Sequence, residues 1–386
     1  MIYLDNAATT KIDPAVLEAM MPYLTSEYGN PGALYSLATR AKAAVSEARK
    51  QVADFISADP HNIIFTSGGT EANNTVFKGL VEYLTKLGKT RIITSRSEHD
   101  SVIRAVNEIA KRGFDVTFLD SDEHGCVPPE SVAAAIGDDV GLVSIMHMNN
   151  ETGSENDVRE IARICHTKQI LFHTDCVQAA SCISLDVNQI GCDFLSMSSH
   201  KIHGPKGVGA LYARFPSLLQ PLIIGGHEQE FGLRGGTENV PGIVGFGKAC
   251  ELMKNQMHDI EHHCSALKQV FYTHLQEALC RHGIENIMHI NGPSIIKRGK
   301  TLNIRFDGVD AQTLVLMLSN NVSISAGSAC TSHESTPSHV LLAMGVSPKD
   351  AMCSVRISFS KMNTEEEAHN AAEEIADNIE VMKLLW

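Results

Sequence analysis

The sequence predicts an α/β protein with a mainly parallel, seven-stranded sheet in a large domain and a smaller α+β domain after it. The first observation is that short apolar runs, rich in β-branched residues, alternate with helical stretches along much of the chain. The second is a change of pattern near residue 245, where a long helical stretch leads into a few further strand-like runs. A length of 386 residues is consistent with two domains.

The elements follow one another in order along the chain. Two helices are predicted first, over residues 14–25 and 37–57. Near-continuous apolar runs then predict the strands of the large sheet, because parallel strands are buried on both faces. These runs span residues 62–67, 91–95, 115–119, 141–147, 170–175, 194–199 and 207–213. The later part of the chain predicts a helix and three strands, over residues 245–282, 301–306, 322–327 and 355–360.

Charge and composition argue against several classes of function. The chain carries 45 acidic and 32 basic residues, for a formal net charge of −13, which opposes non-specific binding to nucleic acid or to an anionic membrane. We find no secretory leader and no apolar run near the ~18 residues of a membrane helix. The cysteines are scattered, and Cys165, Cys250 and Cys280 lie in apolar stretches where a thiol packs as a small hydrophobe. We therefore expect a protein of the reducing cytoplasm.

Three features that follow predicted strands are together typical of a cofactor site. The small residues of "TSGGTEANN" lead into a helix at Thr70 and could cradle a phosphate, although a plain strand-to-helix turn is the alternative. Asp175 ends the fifth run, where it needs a cationic or hydrogen-bonding partner unless it caps a helix. Lys201 ends the sixth run, where desolvation would make its amine a nucleophile or base; a solvated loop lysine is the alternative. Pyridoxal phosphate requires this combination of groups.

A series of ordered motifs resembles the cysteine desulfurases of the NifS/IscS type, within the fold-type I pyridoxal phosphate enzymes. The motifs cover almost the whole chain and read YLDNAATT, FTSGGTEANN, SEHDSV, NNETG, FHTDCVQA, SSHKIHGPKGVGALY, GLRGGTENVPGIVG, SAGSACTS and VRISFS. The resemblance implies a large cofactor-binding domain over residues 14–250. It also implies a small domain, formed by residues 1–13 and 251–386, that carries the loop of the catalytic cysteine.

The resemblance further implies which residues hold pyridoxal 5'-phosphate. Lys201 would bind the cofactor covalently, Asp175 would pair with the pyridine nitrogen, and His99 would stack on the ring and assist proton transfer. Asn150 and Gln178 would contact the ring hydroxyl. The phosphate would be held by Gly69, Thr70, Ser198 and His200, joined by Thr237 of a second subunit. The role of the last residue implies a homodimer with shared active sites.

The same resemblance implies the substrate and the reaction. Asn30 and Arg356 would bind the carboxylate of L-cysteine, for which an arginine fork is suited. After Lys201 takes the α-proton, the thiolate of Cys330 would attack the substrate sulfur, leaving a persulfide on Cys330 and releasing alanine. The sulfur would then pass to the thiol of an acceptor protein, which requires an exposed loop. A half-buried loop thiol without a catalytic role is the alternative for Cys330.

Several positions depart from the family pattern. Tyr35 stands where His is usual, Ala38 where Gly is usual, and Arg305 where a small residue is common. Ser360 and Lys361 stand where Gly-Arg is common. None of these departures removes a catalytic group, but they leave open the shape of the substrate entrance and the identity of the sulfur acceptor.

Other functions remain open from the sequence. A selenocysteine lyase or a related class V lyase or aminotransferase is one, although Cys330 in "GSAC" argues against a transaminase. A non-catalytic scaffold or sulfur carrier is another. His258 and His262 have a spacing that can bind a metal on a helix, but their polar neighbours favour a surface stripe, so we expect no metal. The pathway stays open among iron–sulfur cluster assembly, tRNA thiolation and DNA phosphorothioation; the acidic chain favours a protein acceptor.

Overall fold

The computed structural model describes residues 1–226, 228–295, 298–327 and 336–384, and these contain twelve strands and twelve α-helices. The strands are β1 Ile2–Tyr3, β2 Ile63–Thr66, β3 Arg91–Ser95, β4 Asp115–Leu119, β5 Val140–Ser144, β6 Leu171–Asp175, β7 Phe194–Ser198, β8 Gly209–Ala213, β9 Met288–Asn291, β10 Thr301–Phe306, β11 Val322–Ser323 and β12 Ser354–Ser358. The helices are α1 Pro14–Thr25, α2 Ser36–Phe55, α3 Gly69–Lys86, α4 Asp100–Ala110, α5 Pro129–Ala135, α6 Val158–Thr167, α7 Val187–Ile190, α8 Val240–Arg281, α9 Ala311–Leu318, α10 His339–Ala343, α11 Pro348–Met352 and α12 Glu365–Leu384.

A seven-stranded sheet lies at the centre of the fold, in the order β2-β8-β7-β6-β5-β3-β4. From β7 to β4 the neighbouring strands pair in parallel, whereas β8 pairs antiparallel with both β2 and β7. Alternate side chains of β2 show that helices cover both faces: Ile63 and Phe65 pack in a core with α2 and α8, and Ile64 packs in a second core with α3 and α4. The predicted α/β class and seven-stranded sheet are confirmed.

The remaining strands form two smaller sheets. Strands β12, β10 and β9 pair antiparallel in that order, and β1 at the start of the chain pairs in parallel with β11. The long helix α8 packs against α2 on one side and α12 on the other, and Phe271 of α8 meets Phe359 with ring centroids 5.7 Å apart. Helix α8 continues without a break through residue 250, where the sequence placed a domain boundary. The division of the chain at residues 13 and 250 stays a prediction.

Two predicted strands end three or more residues earlier than the sequence indicated. Strand β5 ends at Ser144, because the backbone N–H of Met146 donates to the carboxyl group of Glu98 (2.8 Å) rather than to a strand. The N–H groups of Ile145 and His147 still donate to carbonyls of β6, at 3.2 and 3.0 Å. The run 322–327 forms only the two residues of β11, after which Ser325 makes an isolated bridge to Arg356.

The cysteines and the paired histidines are only partly as expected. Cys165 and Cys250 are buried, but Cys280 is exposed in the last turn of α8, so its predicted packing was wrong. His258 and His262 both lie on the exposed face of α8.

None of the helices in the described ranges combines the length and the apolar character needed to cross a bilayer.

A buried ion pair attaches residues 229–232 to the edge of the central sheet. Arg49 of α2 donates two N–H groups to the carboxylate of Glu230, at 2.8 and 2.5 Å. The same carboxylate accepts the backbone N–H of Phe65 in β2 at 2.7 Å. The two charged side chains are only 13% and 4% exposed, so removing one would leave the other charge buried and unpaired.

We therefore expect Glu230→Ala to lower the free energy of unfolding by about 3–5 kcal/mol. The matched control is Glu82→Ala, which breaks an exposed pair with Lys86 and should cost about 0–1 kcal/mol. Urea unfolding of both variants measures the difference, and equal losses would contradict the importance of the buried pair.

A neutral histidine lies in the middle of the sheet. The ring of His173 in β6 is held between two hydroxyl groups, with Nδ1 2.8 Å from Ser144 Oγ and Nε2 3.0 Å from Ser196 Oγ. Complete burial lowers the pKa of His173 to about 3. A neutral imidazole suits this position, because one ring nitrogen donates and the other accepts.

The lowered pKa predicts a loss of stability in acid. Below the ordinary histidine pKa of about 6.5 the unfolded chain binds a proton that folded His173 does not, so its contribution falls by about 1.4 kcal/mol per pH unit. His173→Gln should therefore show a shallower decline in unfolding free energy between about pH 6.5 and about pH 4 than wild type. His258→Gln, at an exposed position, should keep the wild-type decline; the same slope in all three proteins would refute this account.

Candidate active site

A cavity of about 220 Å³ opens where the parallel strands end at their carboxyl termini. Ten predicted site residues line it: Gly69, Thr70, His99, Asn150, Asp175, Gln178, Ser198, His200, Lys201 and Arg356. Two others, Asn30 and Thr237, are exposed and do not line this cavity. Cys330 lies outside the described residues.

The acidic group of the cavity is the carboxylate of Asp175, the last residue of β6. It is only 5% exposed and accepts two hydrogen bonds, from Asn73 Nδ2 to Oδ2 (2.7 Å) and from the backbone N–H of Val177 to Oδ1 (2.9 Å). The hydrogen-bonding partner that a buried aspartate requires is therefore Asn73 of α3.

The amine of the cavity belongs to Lys201, in the turn after β7. Its Nζ donates to the backbone carbonyls of Ala7 and Ala8, at 2.6 and 2.7 Å. The backbone of Ala7 is itself attached to β12, because its N–H donates to Ser358 Oγ at 2.8 Å. The N-terminal segment thus forms one wall of the cavity and positions the amine.

The N-terminus of α3 forms another wall. Helix α3 begins at Gly69, and its first N–H groups have no partner within the helix, so they attract anions. Only glycine fits at this position, because a Cβ atom there would lie 2.6 Å from a methyl group of Val177.

His200, which follows β7, also lines the cavity. Burial, with the nearby charge of Lys201, lowers the pKa of His200 to about 3 and keeps that ring neutral.

The cationic group on a further side is Arg356, which is 1% exposed. It donates to Asp5 Oδ1 at 2.7 Å and to the backbone carbonyl of Asn150 at 3.0 Å. Among the described residues its Nε has no partner, and neither has Oδ1 of Asn150. Because unpaired buried polar groups are costly, this donor and this acceptor suit a bound molecule.

His99 lies at the start of α4, where its side chain caps the helix by accepting the N–H of Ser101. Burial lowers the pKa of His99, while the carboxylate of Asp175 acts in the opposite direction and Lys201 lowers the pKa further. The ring is therefore neutral at neutral pH.

Sequence reasoning missed three groups that position these residues: Asn73, Asp5, and the carbonyls of Ala7 and Ala8. A signal for Asn73 was present, because it follows Gly69 by four residues and so faces the same side of α3. Asp5 gave no such signal, since its partner lies 351 residues away.

The donor set fits the predicted cofactor. A carboxylate suits a basic ring nitrogen, an amine suits an aldehyde, and a helix N-terminus suits a phosphate. The unpaired Oδ1 of Asn150 also leaves an acceptor for a hydroxyl group.

This chain is similar to a family model, to a curated relative and to solved structures. The class V aminotransferase family model matches residues 2–370. The cysteine desulfurase IscS of Methanosarcina thermophila is 39% identical, over 99% of this chain and 93% of its own length. A NifS-like protein of known structure is 34% identical with a TM-score of 0.89, over 98% of this chain and 99% of that chain. The structure of SspA in complex with cysteine is also 34% identical, with a TM-score of 0.78, over 94% of this chain and 100% of that chain.

These similarities confirm the predicted resemblance, the pyridoxal phosphate cofactor and the predicted cysteine desulfurase activity. They extend over nearly the whole length of both partners in each comparison. The chain therefore belongs to the class V aminotransferase family, in which it is similar to the cysteine desulfurases of the NifS/IscS type.

Proposed function

We propose that this protein converts L-cysteine to L-alanine and carries the released sulfur as a persulfide on Cys330. The observation that supports this proposal is the convergence of Lys201, Asp175 and Arg356 on one cavity. An amine, a carboxylate and a guanidinium group at these positions could hold the cofactor and bind the carboxylate of an amino acid.

Pyridoxal phosphate would lie with its ring nitrogen at Asp175 and its hydroxyl at Asn150 and Gln178. His99 would stack on the ring. The phosphate would be held at the start of α3 and the end of β7 by Gly69, Thr70, Ser198 and His200. When bound, the cofactor supplies an electron sink for the charge that develops at the substrate α-carbon.

Arg356 would bind the carboxylate of L-cysteine. Asp5 and the carbonyl of Asn150 already fix the plane of its guanidinium group, so little conformational freedom is lost when a carboxylate binds. The unpaired Nε–H supports this role, because it is a buried donor that needs an acceptor. Asn30 is exposed and outside the cavity, and we propose that it assists at the entrance.

The reaction would use one base and one nucleophile. Lys201 Nζ would take the α-proton of L-cysteine. The thiolate of Cys330 would then attack the substrate sulfur, so that an S–S bond forms while the bond from sulfur to the β-carbon breaks. The electron pair of that bond stays with carbon, which is protonated to give the methyl group of alanine. The products are L-alanine and a persulfide on Cys330.

The chain on either side of Cys330 supports this role. Before it, Ser325 exchanges two backbone hydrogen bonds with Arg356, at 2.7 and 3.2 Å. After it, Ser338 Oγ donates to Glu151 at 2.6 Å, and the ring of His339 donates to the carbonyl of Glu98, the residue before His99, at 2.9 Å. The residues that flank Cys330 on each side are therefore hydrogen-bonded to, or next to, residues that line the cavity.

We further propose a homodimer in which Thr237 completes the phosphate site of the partner. Thr237 is exposed in the segment after Arg234, outside its own cavity. Large apolar side chains that could form the subunit interface are exposed on α1 and in the loop after it: Leu17, Met21, Leu24, Tyr28, Leu34 and Tyr35. Burying this surface would stabilise a dimer.

The persulfide would pass to the thiol of an acceptor protein in the cytoplasm. A net charge of −13 favours a protein acceptor over direct contact with nucleic acid or membrane. Iron–sulfur assembly, tRNA thiolation and DNA phosphorothioation are the candidate pathways. Selenocysteine lyase activity is the alternative, and it would not require Cys330 as the sulfur acceptor.

The first test follows both products from L-cysteine in the presence of excess dithiothreitol. Wild type should release sulfide and alanine in equal amounts, because dithiothreitol cleaves the persulfide. Lys201→Ala should form neither product and lose the visible absorption of the bound cofactor. Cys330→Ala should lose sulfide release but keep that absorption. Cys280→Ala, which removes an exposed thiol elsewhere, should behave as wild type. Full turnover of cysteine by Cys330→Ala would make a lyase the better account.

A second test concerns the substrate carboxylate. Arg356→Lys should raise KM for L-cysteine by about 10- to 100-fold, because charge-assisted hydrogen bonds worth about 1.5–3 kcal/mol are lost. Steady-state kinetics measures the change. Arg305→Lys is the matched control: this arginine on the neighbouring strand β10 pairs with Asp307 and does not line the cavity. An unchanged KM in Arg356→Lys would rule out carboxylate binding by this residue.

A further inference from the structure

A chain of hydrogen bonds links the aspartate and the histidine of the cavity through Asn73. The fully buried amide of Asn73 donates one N–H to Asp175 Oδ2 (2.7 Å) and the other to Ser101 Oγ (2.8 Å). A carboxylate can only accept hydrogen bonds, so the NH₂ group and not the oxygen of Asn73 must face Asp175. The direction of the chain is fixed at this point.

The direction carries through to His99. Because Ser101 Oγ accepts from Asn73, its own proton is available for His99 Nδ1, which lies 2.8 Å away. The backbone N–H of Ser101 donates to the same nitrogen at 3.1 Å. Two donors on Nδ1 leave no place for a proton there, so the neutral ring carries its proton on Nε2.

We propose that Asn73 and Ser101 are positioning residues that hold His99 as the Nε2–H tautomer, so that the ring presents a hydrogen-bond donor to the molecule in the cavity. This inference rests on the proposed cofactor and substrate site. Lys201 would then act as the base while His99 acts as a donor, and the two groups have different roles. Without the hydroxyl of Ser101, only the backbone N–H of residue 101 still donates to Nδ1, so the Nδ1–H tautomer becomes more accessible. In that tautomer Nε2 is an acceptor and not a donor.

The surroundings of the ring agree with a neutral state. Asp175 and Asp100 favour the protonated imidazolium, whereas Lys201 and His339 oppose it. Burial is the largest effect and also opposes the charge. Since the ring is neutral, its function depends on which nitrogen holds the single proton.

The test measures the tautomer directly. Holoenzyme labelled with ¹⁵N in its histidine rings is examined by NMR, and the signals that His99→Gln removes belong to His99. In wild type we expect Nδ1 in the range of an unprotonated ring nitrogen and Nε2 in the range of an N–H group. In Ser101→Ala the two signals should move towards each other, as the tautomers mix. Its kcat should fall about five-fold with KM unchanged, as expected for the loss of one hydrogen bond of about 1 kcal/mol.

The matched control is Ser144→Ala. This substitution removes the hydroxyl from a more deeply buried serine–histidine pair, with His173, that does not line the cavity. It should leave the His99 signals and kcat unchanged. Changes of the same size in both variants would indicate a general structural effect and overturn the proposal.

The role of Asn73 is tested by combining substitutions. Since Asn73 and Ser101 act through one chain, Ser101→Ala should lower kcat less in an Asn73→Ala background than in wild type. Fully additive effects, or an Nδ1–H tautomer in wild type, would overturn the proposal. Failure of the proposed function is distinguishable, because wild type would then show the Nε2–H tautomer but release no sulfide from L-cysteine.

Discussion

The buried carboxylate of Asp175 is the interaction on which the arrangement of the cavity depends. A charge at the end of a buried strand must be hydrogen-bonded, and Asn73 of α3 provides one of its two bonds. Asn73 lies four residues after Gly69, the first residue of α3, so the helix N-terminus and the amide face the same space. The hydrogen bond between Asn73 and Asp175 thereby links the position of the carboxylate to that of the anion-binding N-terminus of α3.

The N-terminal segment, residues 5–8, positions two further groups of the cavity. Asp5 neutralises Arg356, and the carbonyls of Ala7 and Ala8 hold the amine of Lys201. The segment can do this because the side-chain amide of Asn6 and the backbone N–H of Ala7 both donate to Ser358 of β12. Residues from the two ends of the chain are thus required before the central sheet has a complete site.

The sequence was most informative where local pattern and burial agree. Strand β6 was predicted to within one residue, because its apolar run reports burial on both faces, and the groups at its end were found with it. Strand β1 was missed, because two residues form a strand only by pairing with β11, more than 300 residues away. Asn73 and Asp5 were missed as site residues for a similar reason: each acts through a distant partner that only the folded chain brings close.

The charge states of the cavity residues follow from their burial. Desolvation lowers the pKa values of His99 and His200 and keeps both rings neutral beside the amine of Lys201. The cation of Arg356 is compensated by Asp5. A phosphate at the start of α3 would therefore be bound by backbone N–H groups and neutral hydrogen-bonding side chains rather than by imidazolium rings.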